Sequence, residues 1–401
     1  EHELLGITGR DISHPDSDAQ REDVETVATG AHSAVAGGFT SVCAMPNTDP
    51  VNDNPAVTAS IIEQGRLAGL ANVFPVGAIT KGSKGEQLAE MGEMKRAGIV
   101  AVTDDGRPVP SPGLMRRAME YARGFDLTVM DHCDDPSLAA GGVMHEGEWS
   151  LRLGLRGRPA LAEESDAMRD CALAELTGAR VHLAHVSTRG AVEAVRRAKG
   201  RGAEVSCEVA PHHFTLTDAA LDGYDPNAKV NPPLRAEADR VGVIAGLKDG
   251  TIDAIAGDHC PQDQDSKRVP FAQAEPGGIG LETLLPISLE LVGLADFAGL
   301  RDQKYALVVT FRKDGTPVPT ARERPLASGR VVRTGVKAAR RMATAGQDDE
   351  EDEHLHRLHR GGRAPRQGEV HGEGQARHLR RERRRAADGG GAEHAPRPLQ
   401  G

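Results

Sequence analysis

The chain has 401 residues, enough for a barrel of roughly 250 residues and a smaller segment. Residues 1–320 carry 31 Lys and Arg against 47 Asp and Glu, a net charge of −16, whereas residues 321–401 carry 18 against 12, a net charge of +6. An acidic body argues against nucleic acid as the main partner. Every aromatic residue lies at or before Phe311, so we expect the folded core to end near residue 300 to 320.

The five cysteines predict a reducing, cytoplasmic setting. Their number is odd, none shows Cys-x-x-Cys spacing, and Cys43, Cys133 and Cys207 lie in or beside apolar runs, as buried free thiols do. No run approaches the roughly 18 apolar residues that a membrane-spanning helix needs, and the N-terminal region lacks the pattern of a secretory signal. We therefore expect neither a membrane span nor export.

Between residues 22 and 297 short apolar runs alternate with amphipathic helical patterns. Before them, the N-terminal segment 1–21 does not share this alternating pattern. It holds one weak apolar run, Leu4 to Ile7, which predicts at most a ragged first strand. Seven further strands are predicted at 38–44, 72–79, 98–103, 127–132, 180–185, 203–209 and 252–257, and helices at 23–36, 55–69, 85–97, 112–124, 162–178, 188–201 and 236–248. The strands are nearly all apolar, as parallel strands buried on both faces are.

This succession predicts an α/β protein, a (β/α)8 barrel of the TIM type over residues 22–300 with a degraded first strand. A doubly wound sheet is the alternative. Residues 301–320 predict a short β-hairpin around Asp314-Gly315. Residues 321–401 have no hydrophobic period and predict a disordered tail. With 17 arginines and a single lysine, the tail also has the composition of GC-rich DNA read out of frame, so our hypothesis is a core at 22–297 joined to unrelated ends.

Four of the apolar runs end in residues of metal-ligand type: Asp105, His132, His185 and Asp258. Since the carboxyl ends of barrel strands meet at one face, we expect these side chains to lie together. Imidazole and carboxylate suit a hydrolytic zinc site with one position open for water, and Asp258 would take the proton of that water. One such histidine alone is more often structural, and Asp104-Asp105-Gly106 alone would pass as a turn. The recurrence at four strand ends favours a site.

Longer motifs around these residues resemble the type I dihydroorotases of the amidohydrolase superfamily. The segments that carry the resemblance are AGGFTSVCAMPNTDPVNDNP (36–55), GAITKG (77–82), DDGRPV (104–109), HEGE (145–148), AELTGARVHLAHVST (174–188), EVAPHHFTLTD (208–218), KVNPPLR (229–235), DGTIDAIAGDH (249–259) and GIGLET (278–283). They stand in family order from about residue 22 to 297.

The resemblance implies a binuclear zinc centre. In it, Asp105 bridges the two ions, His132 and His185 ligate the more buried one, and Asp258 ligates the other and acts as general base and acid. The implied reaction is the reversible cyclisation of N-carbamoyl-L-aspartate to L-dihydroorotate, a step of pyrimidine biosynthesis.

The resemblance also assigns the substrate side of the site. It implies that Asn47 and Asn231 bind the substrate carboxylate, for which neutral amide donors are suited. It implies that His212 and His213 mainly support a loop. His182 lies three residues before His185, so strand alternation predicts that it faces the helices.

Three departures from the family bear on activity. The family's His-x-His-x-Arg-Glu-Pro-Gly pattern at the first strand is absent, and His14 is the only imidazole in residues 6–30, which stand in its place. Gln262 replaces the last His of the family's DHAPH motif, and Glu275-Pro276-Gly277-Gly278 lacks the Phe of the usual PFG loop. Loss of the Arg removes a bidentate carboxylate clamp, and a hydrogen bond to a charged group is worth about 1.5–3 kcal/mol.

These departures affect the two predicted metal sites unequally. Asp105, His132 and His185 still make a complete single-zinc site with one position for water. The second site keeps only Asp258 and the shared Asp105, and two carboxylates without imidazole bind zinc weakly. We therefore expect one occupied Zn²⁺ site and activity far below that of an intact relative.

Two functions remain. The first is a zinc cyclic amide hydrolase of the dihydroorotase type, impaired, acting on a small-molecule substrate; the retained Asp105, His132, His185 and Asp258 favour it. The second is a non-catalytic scaffold that partners aspartate transcarbamoylase, which the missing His-x-His favours. The sequence leaves the oligomeric state open, a homo-oligomer included.

Overall fold

The computed structural model describes residues 25–291 and the backbone of Leu5–Ile7. The predicted hairpin at 301–320, the predicted tail at 321–401 and His14 lie outside the described residues.

Within the described part of the chain, the strands are β1 (Leu5–Ile7), β2 (Ser41–Ala44), β3 (Asn72–Pro75), β4 (Ala101–Val102), β5 (Thr128–Asp131), β6 (Met144–His145), β7 (Gly157–Arg158), β8 (Val181–Leu183), β9 (Val205–Val209) and β10 (Ala254–Ile255). The helices are α1 (Val27–Ala36), α2 (Pro55–Ala68), α3 (Met91–Ala97), α4 (Pro112–Gly124), α5 (Pro136–Ala139), α6 (Glu148–Leu153), α7 (Ala160–Thr177), α8 (Arg189–Gly200), α9 (Pro211–Thr215), α10 (Glu237–Lys248), α11 (Gln264–Lys267) and α12 (Leu281–Leu291). Short 3-10 helices cover Lys81–Ser83, Asp218–Leu221 and Pro226–Ala228.

Each of the seven predicted strands and seven predicted helices is present, and the weak run before them forms β1, which pairs in parallel with β2. The strands are shorter than predicted, and β2 and β9 lose residues only at their amino ends. The sequence did not predict the insertion of α5, β6, α6 and β7 between β5 and β8. Its strands have two residues each, too few for a period to register.

The local signals for helix ends are explicit at α2. The Asn54 side chain accepts hydrogen bonds from the backbone N–H groups of Ala56 and Val57, and Pro55 occupies the first helical turn. The helix ends at Ala68 and is capped by Gly69, whose φ of 64° places it in the left-handed region that glycine adopts without strain.

All strand pairs within the described sheets are parallel. One sheet has the order β1-β2-β3 and a second the order β10-β9-β8-β5-β4, so neighbouring strands follow one another along the chain apart from the inserted pair β6-β7. A single parallel bridge between Gly77 and Val102 links the segment after β3 to β4. This is the α/β arrangement that the alternating pattern predicted.

The two faces of the sheet have different surroundings. Val129, Val181 and Leu183 are buried in one large cluster with apolar side chains of helices α4, α7 and α8. Cys43 and Met130 belong to a separate small cluster on the opposite face. Alternation along the strands therefore divides the core into a helix-facing layer and an inner layer.

His182 lies in the inner layer, and the prediction that it faces the helices was wrong. It stands between Val181 and Leu183, which face the helices. Its Nδ1 is 2.8 Å from Ser206 Oγ, and its Nε2 is 3.4 Å from Glu208 Oε2. The alternation argument failed because β8 ends at Leu183, so His185 does not continue the strand.

The five cysteines are free thiols, and four of them, including Cys43, Cys133 and Cys207, are buried. No helix among the described residues is long and apolar enough to cross a membrane.

Candidate metal centre

Three of the predicted ligand residues converge from three strand ends. Asp105 follows β4, and His132 and His185 follow β5 and β8. His132 Nδ1 lies 3.0 Å from His185 Nε2 and 3.8 Å from Asp105 Oδ1, and His185 Nε2 lies 3.4 Å from the same oxygen. The two imidazoles are 2% and 6% exposed. The three side chains form one buried cluster with their ligand atoms within 4.8 Å of one another.

The distances in this cluster, here called the triad (Asp105, His132 and His185), fit a zinc ion. Zinc binds nitrogen and oxygen at about 2.0–2.2 Å, and a tetrahedron of that size separates two ligand atoms by about 3.4 Å. The three distances, 3.0, 3.4 and 3.8 Å, bracket that value. Two imidazoles and one carboxylate are also the donor set of a catalytic zinc that keeps a fourth position open.

The charges in and around the triad also favour a bound cation. Burial lowers the pKa of His132 to about 3, and His185 adds to the effect, so His132 is a neutral imidazole at pH 7. Burial also acts against protonation of His185, but its hydrogen bond to Asp105 and the charges of Asp258 and Asp105 outweigh burial and raise the pKa of His185 to about 9. The carboxylates of Asp105 and Asp258 therefore stabilise a positive charge at His185, which either a proton or a metal ion can supply.

Asp258 lies beside this cluster but outside the triad. Its Oδ2 is 3.6 Å from Nε2 of His212. Burial raises the pKa of Asp258 to about 6; His185 opposes this shift, and Asp105 and Glu208 reinforce it. A carboxyl group with a pKa this close to neutrality can both accept and return a proton.

Two of the four predicted ligands stand in strained backbone. His185 has a φ of 33° and Asp258 a φ of 44°, a region that costs a residue with a side chain about 1–3 kcal/mol. Hydrogen bonds hold the backbone beside each of these residues. Next to Asp258, His259 donates a hydrogen bond from Nε2 to Glu25 at 2.9 Å and accepts one from the Gly280 N–H at 3.1 Å. Strain of this kind concentrates at functional sites.

A buried ion pair holds the segment after His185. Glu163 accepts hydrogen bonds from the backbone N–H groups of Ser187 at 2.8 Å and Thr188 at 2.9 Å, and it pairs with Arg235 at 3.2 Å. Both charged side chains are 2% exposed. Sequence reasoning assigned neither residue, although Arg235 ends the motif KVNPPLR.

The two predicted substrate-binding asparagines both lie against the triad. Asn47 Nδ2 is 3.4 Å from Asp105 Oδ2, and Asn231 Nδ2 is 3.4 Å from His132 Nε2. Arg158 donates to Asn231 Oδ1 at 2.5 Å, so the Asn231 amide must present its oxygen to the guanidinium and its NH2 group to the site. Arg158 belongs to the inserted strand β7, and no sequence signal marked it.

Gln262, which replaces a family histidine, is turned into the neighbouring loop. Its Nε2 donates to the Pro276 carbonyl at 2.9 Å and is 3.5 Å from Cys260 Sγ. The loop that lacks the family's Phe is thereby tied to the segment after Asp258.

One other group of three close ligand-type side chains occurs among the described residues: Asp131, Cys133 and Asp170. Arg169 pairs with Asp131 at 3.2 Å and with Asp170 at 2.7 Å. The guanidinium of Arg169 already pairs with both carboxylates of this group, so we assign it no metal.

Comparison with solved structures shows which fold surrounds this centre. The L-hydantoinase (dihydropyrimidinase) from Arthrobacter aurescens superposes with a TM-score of 0.61 at 21% identity, covering 74% of this chain and 68% of that one. A dihydroorotase in complex with 5-fluoroorotic acid from Saccharomyces cerevisiae superposes with a TM-score of 0.54 at 14% identity, covering 72% and 78%. The protein shares the α/β fold of these two enzymes.

Sequence comparison narrows the class. The family profile described as Dihydro-orotase-like matches residues 11–191. The dihydroorotases of Desulforapulum autotrophicum and Geobacter sulfurreducens are 59% and 58% identical over 268 residues, which is 67% of this chain and 63% of each relative. The matched part of the chain is similar to dihydroorotases, and it spans less than two thirds of the length of these relatives.

Proposed function

We propose that the protein is a zinc-dependent cyclic amide hydrolase that interconverts N-carbamoyl-L-aspartate and L-dihydroorotate in pyrimidine biosynthesis. The observation that carries the proposal is the triad, whose three ligand atoms stand at zinc-compatible distances in a chain that is 59% identical to a dihydroorotase over 268 residues. The run of parallel strands in chain order supports the finer expectation of a (β/α)8 barrel, with the triad at the carboxyl ends of its strands.

Each residue has a role in this proposal. A zinc ion held by Asp105, His132 and His185 would supply a Lewis acid and activate water at neutral pH. Asp258 takes the proton of the attacking water and returns it to the leaving ring nitrogen. Its pKa of about 6 suits both steps.

The substrate carboxylate is bound by Asn47 and Asn231. Arg158 acts behind Asn231, because its guanidinium fixes the direction of the amide. The charge of Arg158 is already paired with Asp134 at 3.1 Å, so Arg158 is no replacement for the family's Arg. With the His-x-His imidazoles and that Arg missing, we propose an activity below that of an intact relative.

The test is zinc content beside turnover of L-dihydroorotate by the purified full chain. We expect zinc-dependent turnover that His185→Ala abolishes, whereas Arg156→Met, on an exposed side chain next to the inserted strand, leaves it unchanged. Full zinc loading without any turnover would refute the proposal. In that case a stable complex with aspartate transcarbamoylase would support the scaffold alternative, for which the missing His-x-His is the argument.

A further inference from the structure

We propose that His212 and Asp258 form a second metal position, in which His212 supplies the imidazole that the missing His-x-His would otherwise provide. The proposal deepens the proposed zinc chemistry and rests on it for the class of ion, a divalent cation of the zinc type. It replaces the expectation that the second position has carboxylate ligands alone.

The geometry around His212 carries the inference. Its Nε2 is buried and has no hydrogen-bond partner, and Asp258 Oδ2 lies 3.6 Å away. This separation exceeds the usual 2.7–3.2 Å of an N–H···O bond. It is close to the distance of about 3.4 Å between two ligand atoms on one tetrahedral zinc. A buried, unpaired imidazole nitrogen facing a carboxylate at this distance has the form of a ligand pair.

The neighbouring histidine shows that loop support does not require His212. His213 Nε2 lies 3.0 Å from the Pro232 carbonyl oxygen and thereby ties α9 to the segment after Asn231. The His212 and His213 rings meet edge to face, with centroids 4.3 Å apart. The resemblance implies the supporting role for both residues, but the contacts give it to His213 and leave His212 facing Asp258.

The charges near the pair favour a cation. Asp258 interacts electrostatically with both Asp105 and Glu208, so three carboxylates act on this part of the inner layer. His212 is not part of the triad, whose members are Asp105, His132 and His185. The second position is therefore separate, with two protein ligands and the rest left to water or substrate, and we expect it to bind zinc more weakly than the triad.

The experiment is a zinc titration of the chelator-treated full chain, followed by calorimetry. The wild type should show a tight and a weak class of site. His212→Ala should weaken the weak class by roughly 10-fold or more and keep the tight one. His185→Ala should do the reverse. His32→Ala, on an exposed histidine of α1, is the matched control and should change neither class.

His212→Gln guards against a folding defect, because it keeps a polar side chain of similar reach but removes the imidazole. Thermal melts of each variant report on folding. An unchanged weak class in either His212 variant would overturn the ligand assignment. Turnover of L-dihydroorotate is measured separately: a weak class that depends on His212 without turnover refutes the proposed function alone, and turnover with a weak class indifferent to His212 refutes the assignment alone.

Discussion

Glu163 offers the sharpest test of how the fold holds the site. It carries no proposed chemistry, yet its carboxylate binds the two N–H groups that follow His185 and pairs with Arg235. We expect Glu163→Gln to destabilise the protein and also to loosen the triad. If Glu163 were a helix residue without these contacts, neither effect would be expected.

The size of the effect follows from burial. Glu163 and Arg235 are each 2% exposed, and removing one partner of a buried pair costs about 3–5 kcal/mol because the other charge stays buried without compensation. Glutamine keeps one acceptor oxygen for the backbone donors, so we expect a loss of about 3 kcal/mol. Since His185 is displaced with the loop, zinc affinity should fall by roughly 10- to 100-fold.

The assay is urea unfolding of wild type and variant, together with zinc titration. Glu175→Gln is the matched control, because Glu175 lies on the same helix and forms a salt bridge with Arg201 at the surface. A change within about 0.5 kcal/mol for Glu163→Gln, with zinc affinity unaltered, would refute the reasoning.

The same residue predicts a pH dependence. Burial alone would raise the pKa of Glu163, but Arg235 and the donors of Ser187 and Thr188 outweigh burial and hold the pKa below its usual 4.5. A depressed folded-state pKa gives stability that is present above pH 4.5 and is lost as the pH falls through the folded value. The gap between wild type and Glu163→Gln should therefore narrow in unfolding measurements below pH 4.5.

Three further predictions concern other parts of the molecule. Zinc at 100 times its dissociation constant should raise the unfolding free energy by about 2.7 kcal/mol, and His185→Ala should abolish that rise in a thermal shift assay. Arg158→Met should raise KM for L-dihydroorotate by roughly 10-fold with a smaller change in kcat, since the Asn231 amide loses its orientation; equal KM values would contradict the role given to Arg158. Leu183→Ala removes a side chain with no exposed surface and should cost about 2–5 kcal/mol in urea unfolding; a cost below about 1 kcal/mol would mean that the helix-facing layer is looser than described.

The amino-acid sequence by itself determined the order of the elements and the residue types at the strand ends. Apolar runs alternating with amphipathic segments have a period that depends only on neighbours in the chain, so all seven strands and seven helices of the pattern could be predicted. Parallel strands bring their carboxyl ends to one edge. For that reason Asp105, His132 and His185 could be expected to meet before any distance was known.

Only the tertiary structure decided which contacts the remaining residues of the site make. The predicted orientation of His182 was wrong because β8 ends two residues before His185, and strand alternation does not indicate where a strand ends. Arg158 and Glu163 reach the site across 73 and 24 residues of chain, and pairings of that range leave no local pattern. Adjacent in sequence and identical in type, His212 and His213 could not be told apart until one contacted the Pro232 carbonyl and the other faced Asp258. Residue type fixes what a side chain can donate or accept, but only the packing of distant segments fixes what stands opposite it.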